Sequence, residues 1–248
     1  MNDSTMNIIN EKVLVLHVKK GYEDRAENIE RMLKDKGISF EYILDGDIPD
    51  LTPEILNRYF KGERVSASAG TSCTMKHFYA YEYIIKHNLP GALILEDDMI
   101  LYDNFISIFN QCMEERQKRS MSNILISFED SSFHFVPRSQ RVKGLHLYKG
   151  PRDRFAGCYY ISNECAKQIM DYVEKNKCDL VSDRLHNFLI APPNSLQYYW
   201  CHPTIATQGT HNGLFPSSIS QKSAQKQNYR KNIWKLKLFY KKLIYWFR

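Results

Sequence analysis

Residues 91–98 read Gly91-Ala92-Leu93-Ile94-Leu95-Glu96-Asp97-Asp98, an apolar run that ends in three consecutive carboxylates before apolar residues resume at Met99-Ile100-Leu101. A short run of this kind, bounded by Gly and acids, reads as a strand buried on both faces, as in a parallel sheet covered by helices. Three negative side chains at its end repel one another and lose hydration. A divalent cation or a hydrogen-bonded sugar offsets both penalties, so the triplet is a candidate site, against the plainer alternative of a solvated acidic turn. Oxygen-only ligands suit Mn²⁺ (or Mg²⁺), which binds a substrate phosphate beside one or two carboxylates. If the chain stays extended, period-two geometry puts Glu96 and Asp98 on one side of it.

The segments around the triplet set the fold class. Residues 11–19 (EKVLVLHVK) read as a first strand, and 22–36 as an amphipathic helix carrying Ala26, Ile29, Met32 and Leu33, stopped by Gly37; residues 38–44 follow as a second strand. This β–α–β opening predicts an α/β fold with a mostly parallel central sheet flanked by helices. A helix over 72–87 leads into the acid-bearing strand. Beyond it come a helix over 105–119, a strand over 123–128 that ends in Glu129 and Asp130, a strand over 155–162 and a helix over 163–175. Past Cys178 the pattern weakens. Tyr198-Tyr199-Trp200 reads as loop or edge strand, and residues 208–220, rich in Gly, Ser, Asn and Pro, as a flexible loop.

At 248 residues and 43% hydrophobic content, the chain can build one sizeable core. The six cysteines have no zinc or dithiol spacing and read as packed free thiols, which suits a reducing cytosol. With a polar start and no apolar run of membrane-spanning length, a cytoplasmic protein is expected. The net charge of +6 hides an asymmetry: residues 184–248 hold ten Lys or Arg and no acid, leaving 24 basic against 28 acidic residues in 1–183, a balance of −4. In the tail, Ile233, Leu236, Tyr240, Leu243 and Phe247 recur at helical spacing, with Trp234, Tyr245 and Trp246 as interfacial aromatics and Lys231, Lys235, Lys241 and Lys242 as cationic flanks. That is the pattern of an amphipathic helix lying on an anionic membrane surface. A helix docked on the protein's own body is the alternative, and nucleic acid is not the expected partner.

The acid triplet in its strand context Leu93-Ile94-Leu95, the helix segment Ser72-Cys73-Thr74-Met75-Lys76-His77 and the stretch Val18-Lys19-Lys20-Gly21-Tyr22-Glu23-Asp24-Arg25 together resemble glycosyltransferase family 25, the lipopolysaccharide-type sugar transferases, over most of residues 12–220. Ser72 stands where the family has Gly, and Lys76 where it has Ser, so Glu96-Asp97-Asp98 is the specific match. The resemblance implies a GT-A-type nucleotide-sugar-binding domain over 1–220; the residue pattern of the tail, independently, makes 221–248 the membrane-associating helix. It also implies a nucleotide-sugar donor and a divalent metal at the acid motif. Asp98 is the first candidate ligand, with Glu96 facing the metal or the donor ribose, and Asp97 beside them on the donor. His211, in the loop Gln208-Gly209-Thr210-His211-Asn212-Gly213, is a candidate to complete the metal shell. Arg25 is a candidate for the diphosphate or uracil, and His77 is either a donor-site residue or a packed core histidine.

Inverting transfer, expected of such a family, needs a carboxylate to deprotonate the acceptor hydroxyl. Asp183 is one candidate, its alternative role being an N-cap for the helix that follows; Glu129 or Asp130 is the other, against a role as exposed turn acids. The resulting expectation is transfer of a hexose, galactose from UDP-galactose, onto a lipid-linked lipopolysaccharide or lipooligosaccharide acceptor at the inner membrane surface. A metal-dependent phosphoesterase would use the same carboxylates but calls for a second acidic or histidine cluster, which the sequence does not show. A non-catalytic glycan- or membrane-binding module is the third reading.

Overall fold

The computed structural model describes residues 9–215 and 227–248. Among them the order is β1 (Lys12–Leu16), α1 (Glu23–Asp35), β2 (Glu41–Ile43), α2 (Pro53–Tyr59), α3 (Ala69–Lys86), β3 (Gly91–Glu96), β4 (Met99–Leu101), α4 (Phe105–Lys118), β5 (Ile124–Ser127), β6 (Leu147–Lys149), β7 (Cys158–Ser162), α5 (Asn163–Asn176), α6 (Ser182–Ile190), β8 (Gln197–Cys201), β9 (Ala206–Gln208), α7 (Gly209–Asn212) and α8 (Gln227–Phe247). Seven strands form one sheet in the order β2-β1-β3-β7-β5-β8-β6. Five share one direction, and β7 and β6 run against their neighbours, so the sheet is mostly parallel as the sequence predicts. β4 and β9 pair separately, with Met99 opposite Gln208.

Alternate residues of β3 serve opposite faces of the sheet. Ala92 and Ile94 pack with Met75, Phe78, Tyr81 and Ile84 of α3 and with Ile169 of α5, whereas Leu93 and Leu95 pack with Ile29 and Leu33 of α1 and with Phe105 and Phe109 of α4. Helices cover both faces, so neither face of the strand meets water and its sequence is continuously instead of alternately apolar. The site-bearing end of β3 is thereby fixed in a well-packed core.

The structure adds to the sequence reading at the stretch 48–64 and departs from it in the second half. Tyr198-Tyr199-Trp200 lie in β8, an interior strand between β5 and β6 and neither loop nor edge. Its polar aromatic groups mimic a surface segment, yet they find partners inside: the Tyr198 hydroxyl donates to Asp153 Oδ1 (2.7 Å) and the Trp200 indole N–H to the Arg152 carbonyl (2.8 Å). The stretch 48–64 carries α2, started by Pro53 and capped by Thr52, whose side chain accepts from the Ile55 N–H. Of the loop expected over 208–220, the first part ends β9 and forms α7, and residues 216–220 lie outside the described residues.

The C-terminal helix α8 rests on the body. The Trp234 ring lies 5.9 Å from that of Phe133 and the Tyr245 ring 5.6 Å from that of Phe135, and Lys242 Nζ is 3.8 Å from Asp130 Oδ2. Trp234 and Tyr245 are therefore docking residues, while Leu236, Phe239, Tyr240, Leu243 and Phe247 remain exposed. Among the described residues no helix is long and apolar enough to cross a membrane.

Candidate functional site

From β1 the chain moves to β2 on one side, then returns to β3 on the other, and Leu16 stands in register with Glu96. A reversal of this kind opens a crevice beyond the carboxyl ends of the strands. A cavity of about 890 Å³ fills it, with Arg25, Glu96, Asp97, Asp98 and Asp183 on its wall. The chain does not stay extended past Glu96: it turns at Asp97-Asp98 before β4. The one-sided geometry expected of Glu96 and Asp98 is replaced by a turn that presents all three acids to the cavity.

Each acid has its own company. Asp97 is buried between Arg25, whose Nη1 donates to Oδ1 (3.2 Å), and His17, whose Nδ1 lies 2.8 Å from Oδ2. Arg25, in the first turn of α1, is held over the Tyr22 ring at 4.8 Å. Glu96 receives the Gln208 side-chain amide (3.2 Å) on Oε2 and the Cys73 thiol (3.5 Å) on Oε1, where His77 Nε2 also approaches to 3.4 Å. Burial works to raise the Glu96 pKa, but the hydrogen bond and charge of His77, the Cys73 thiol and Arg25 together outweigh it and hold the carboxyl below its ordinary range. Gly157 makes room for this arrangement, since a Cβ there would lie 2.6 Å from both Gln208 Nε2 and Met99 Sδ.

Asp98 is different. Its Oδ2 accepts from the Thr210 hydroxyl (2.6 Å) and backbone N–H (3.3 Å), while Oδ1 is buried with no hydrogen-bond partner among the described residues. Burial, reinforced by the Glu96 charge, raises its pKa to about 7. A buried, uncompensated carboxylate oxygen on the wall of a cavity fits a divalent cation. A second donor set lies close by: Cys73, His77 and Glu96 offer ligand atoms within 4.8 Å of one another and can also hold a metal. It shares only Glu96 with the expected set of Asp98, Glu96 and His211, because Cys73 reads in the sequence as a packing residue. His211 falls in α7, and its side chain lies outside the described residues.

His77 is fully buried and ends a chain of hydrogen bonds that crosses the core. Asp153 Oδ2 lies 2.6 Å from His186 Nδ1, His186 Nε2 2.9 Å from the Tyr81 hydroxyl, that hydroxyl 2.7 Å from the Tyr159 hydroxyl, and the latter 2.7 Å from His77 Nδ1. With the His77–Glu96 contact, the chain has carboxylates at both ends, and filling every link takes one more proton than two neutral imidazoles and two phenols carry. The chain fixes the His77 ring against Glu96.

The three candidate bases separate. Asp183 sits in the first turn of α6 on the cavity wall; the N-cap of that helix is Val181, so Asp183 does not have the capping role. Burial, then the Asp153 charge, raises its pKa. Glu129 and Asp130 are fully buried instead of exposed, and among the described residues neither lines the cavity. Glu129 Oε1 accepts the N–H groups of Gly157 (2.7 Å) and Cys158 (3.2 Å), tying the end of β5 to β7. Asp130 accepts from the Tyr102 hydroxyl (2.9 Å) beneath Lys242.

The two residues that depart from the family pattern have a joint role. The Ser72 hydroxyl donates to the Gly46 carbonyl (2.7 Å), and buried Lys76 donates to the Leu44 (2.9 Å) and Asp45 (3.2 Å) carbonyls and pairs with Asp47 at 2.7 Å. Both clamp the segment after β2, whose residues 47–50 line the cavity. Lys76→Ala leaves the buried Asp47 carboxylate without its cation and is expected to destabilise the fold by about 3 kcal/mol. Thermal unfolding checks this, and an unchanged melting temperature would show that the pair contributes nothing. His17, Lys76, Gln208 and Thr210 escape sequence reasoning because each meets the acids or the clamp across a large separation in the chain. For His17 the one available signal is its position at the end of a buried strand.

The molecule is thus an α/β fold with a cavity at its switch point, in which arginine and lysine side chains face clustered carboxylates. The chain belongs to glycosyltransferase family 25 (LPS biosynthesis protein), whose sequence profile matches residues 11–185, from β1 into α6. It is therefore a glycosyltransferase, and the phosphoesterase reading gives way. No curated protein sequence matches the chain. Among solved structures, similarity is found to a glycosyltransferase involved in the glycosylation of the major capsid of PBCV-1, with 9% identity, a TM-score of 0.44, and 91% of this chain and 99% of that one covered. It is also found to a mannose-1-phosphate geranyltransferase from Thermus thermophilus, with 9% identity, a TM-score of 0.37, and 86% and 80% covered.

Proposed function

We propose that this glycosyltransferase moves a hexose, galactose from UDP-galactose, with inversion onto a lipid-linked lipopolysaccharide oligosaccharide at the cytoplasmic face of the inner membrane. The observation that carries the reading is the uncompensated Asp98 oxygen in a cavity that also presents Lys19, Lys20, Arg25 and Arg64. A nucleoside diphosphate fits both halves: the cations would hold its phosphates, and Asp98 would hold a divalent metal. Mn²⁺ (or Mg²⁺), held by Asp98, would supply charge neutralisation for the departing diphosphate. Arg25, anchored by Asp97, orients the phosphates. Asp183 takes the proton of the acceptor hydroxyl as its oxygen bonds to the anomeric carbon and the bond to the diphosphate breaks. Calorimetric titration of Mn²⁺ with and without UDP, followed by mass spectrometry over a panel of nucleotide sugars, tests this. Cooperative binding of metal and UDP with release of UDP from UDP-galactose is expected, and turnover of no sugar in the panel would overturn the reading.

The membrane part of the proposal rests on the outer face of α8, where Leu236, Phe239, Tyr240, Leu243 and Phe247 are exposed beside Lys235, Lys237 and Lys241. Basic residues near an anionic leaflet contribute about 1 kcal/mol each, and apolar side chains entering the interface add to that. Holding the enzyme in the plane of a lipid-linked acceptor raises the local acceptor concentration. Converting Leu236, Phe239 and Leu243 together to Glu is expected to abolish co-sedimentation with anionic vesicles while leaving the melting temperature unchanged. Deleting residues 227–248 should lower the melting temperature as well, because it uncovers Phe133 and Phe135 and removes Lys242 from Asp130. Equal vesicle binding by wild type and the triple variant would rule out this face as the anchor.

A further inference from the structure

A second cavity, of about 460 Å³, lies beside the first, and among the described residues the two linings share only Phe155 and Asp183. Its remaining wall is made by Ser132, His134, Pro151, Arg152, Asp153 and Asn187. The volume is in the range of pockets that hold small organic ligands. Its chemistry differs from that of its neighbour: in place of several cations it offers one, Arg152, together with a hydroxyl, an imidazole, an amide, the acids Asp153 and Asp183 and the aromatic Phe155. Burial, then the charge of Arg152, lowers the His134 pKa, so the imidazole is neutral near pH 7 and both donates and accepts. Alternating neutral donors and acceptors beside an aromatic ring match a polyhydroxylated ring better than a second diphosphate.

The two shared residues are specially placed. Phe155 has φ of +83°, a left-handed conformation that costs a non-glycine residue on the order of 1–3 kcal/mol and persists only where the surroundings impose it. Its neighbours Arg154 and Ala156 are buried and hold the backbone there. Asp153 is not the reactive acid of this wall, since Oδ2 faces His186 at 2.6 Å and Oδ1 accepts from the Tyr198 hydroxyl at 2.7 Å. Asn187 ties the two acids together, its Oδ1 accepting the Asp153 N–H (3.0 Å) and its amide donating to the Asp183 carbonyl (2.9 Å). Asp183, whose side chain accepts locally from the Arg184 N–H (2.8 Å), lies at the boundary between the cavities.

We infer that the second cavity is the acceptor subsite: it seats a hexose ring of the acceptor glycan against Phe155, with His134 and Arg152 holding its far side and its reacting hydroxyl brought to Asp183. The inference rests on the glycosyl-transfer reading and adds where the acceptor binds and which side chains select it. It is tested with a panel of methyl glycosides (glucoside, galactoside, N-acetylglucosaminide and lactoside), followed by ligand-observed NMR on the full chain with UDP and Mn²⁺ present. At least one glycoside should bind the wild type, and His134→Ala and Arg152→Ala should each weaken it by about tenfold, the loss of one good hydrogen bond, with UDP affinity and melting temperature unchanged. Equal glycoside affinity in the variants, or binding of none of the panel by the wild type, would overturn the subsite. UDP-galactose hydrolysis by the same preparations separates this from failure of the parent reading: a wild type that hydrolyses the donor but shows no variant effect refutes the subsite alone.

Discussion

Asp98→Asn should reduce sugar transfer by roughly 10²–10³-fold while making the protein more stable at pH 8 in metal-free buffer. Both effects have one origin, a carboxylate held where its charge is unfavourable unless a cation is present. Its folded-state pKa of about 7 stands above the ordinary value of 3.8, with burial the main cause and the Glu96 charge the second. Between those two pH values the native state binds more protons than the unfolded chain, so this group makes the fold less stable as pH rises, and the penalty is complete above about 7. Asn carries no charge and still accepts from Thr210 through its Oδ1. The gain should therefore be a few kcal/mol at pH 8 and fade toward pH 4. Turnover of UDP-galactose and thermal unfolding at pH 5 and pH 8, with and without Mn²⁺, check both halves. Mn²⁺ should stabilise the wild type and not the variant. Near-wild-type turnover by the variant in metal-free buffer would end the metal-dependent mechanism.

The strand over 91–96 and its acids were legible because their signal is local: an apolar run fixes burial, and three adjacent carboxylates at its end need compensation wherever they lie. The same locality located α1, whose Ile29 and Leu33 pack one turn apart, and Gly37, whose φ of +66° ends it. What compensates each acid was not legible. Asp97 is matched by His17 and Arg25, 80 and 72 residues away, and Asp98 by Thr210, 112 residues away. Such pairs are set by strand order, and one crossover more or less would separate them. The interior position of β8 was not legible for a related reason: tyrosine hydroxyls and an indole N–H look like surface groups until their partners Asp153 and Arg152 are in place. Glu129 shows the reverse error. An acid after a strand reads as an exposed turn, yet here two backbone N–H groups of β7 and its approach donate to one oxygen of a fully buried side chain, a contact no local pattern reveals.

Asp183→Asn should lower the transfer rate by about 10²–10⁴-fold and leave UDP affinity unchanged, because a general base acts in the transition state and not in donor binding. The structure sharpens this test. Val181 is the N-cap of α6, and Asp183 sits one position inside the first turn, where losing its favourable interaction with the helix N-terminus, about 0.5 kcal/mol, is offset by relief of a buried charge. A large fall in rate with a nearly constant melting temperature is then not a folding effect. The pH profile supplies a second signature. Burial and the Asp153 charge raise the pKa of Asp183, and the base works only when deprotonated, so the rate should fall as pH drops through that raised value, with the fall set above the ordinary carboxylate range. In the Asn variant the residual rate should lose this acidic limb. If transfer instead survives within a few-fold, or keeps the same acidic limb, the base lies elsewhere. Glu129 and Asp130 would be poor heirs to the role, since both are fully buried behind the cavity wall and a substrate hydroxyl reaches neither without opening the packing of β5 against β7 and α8.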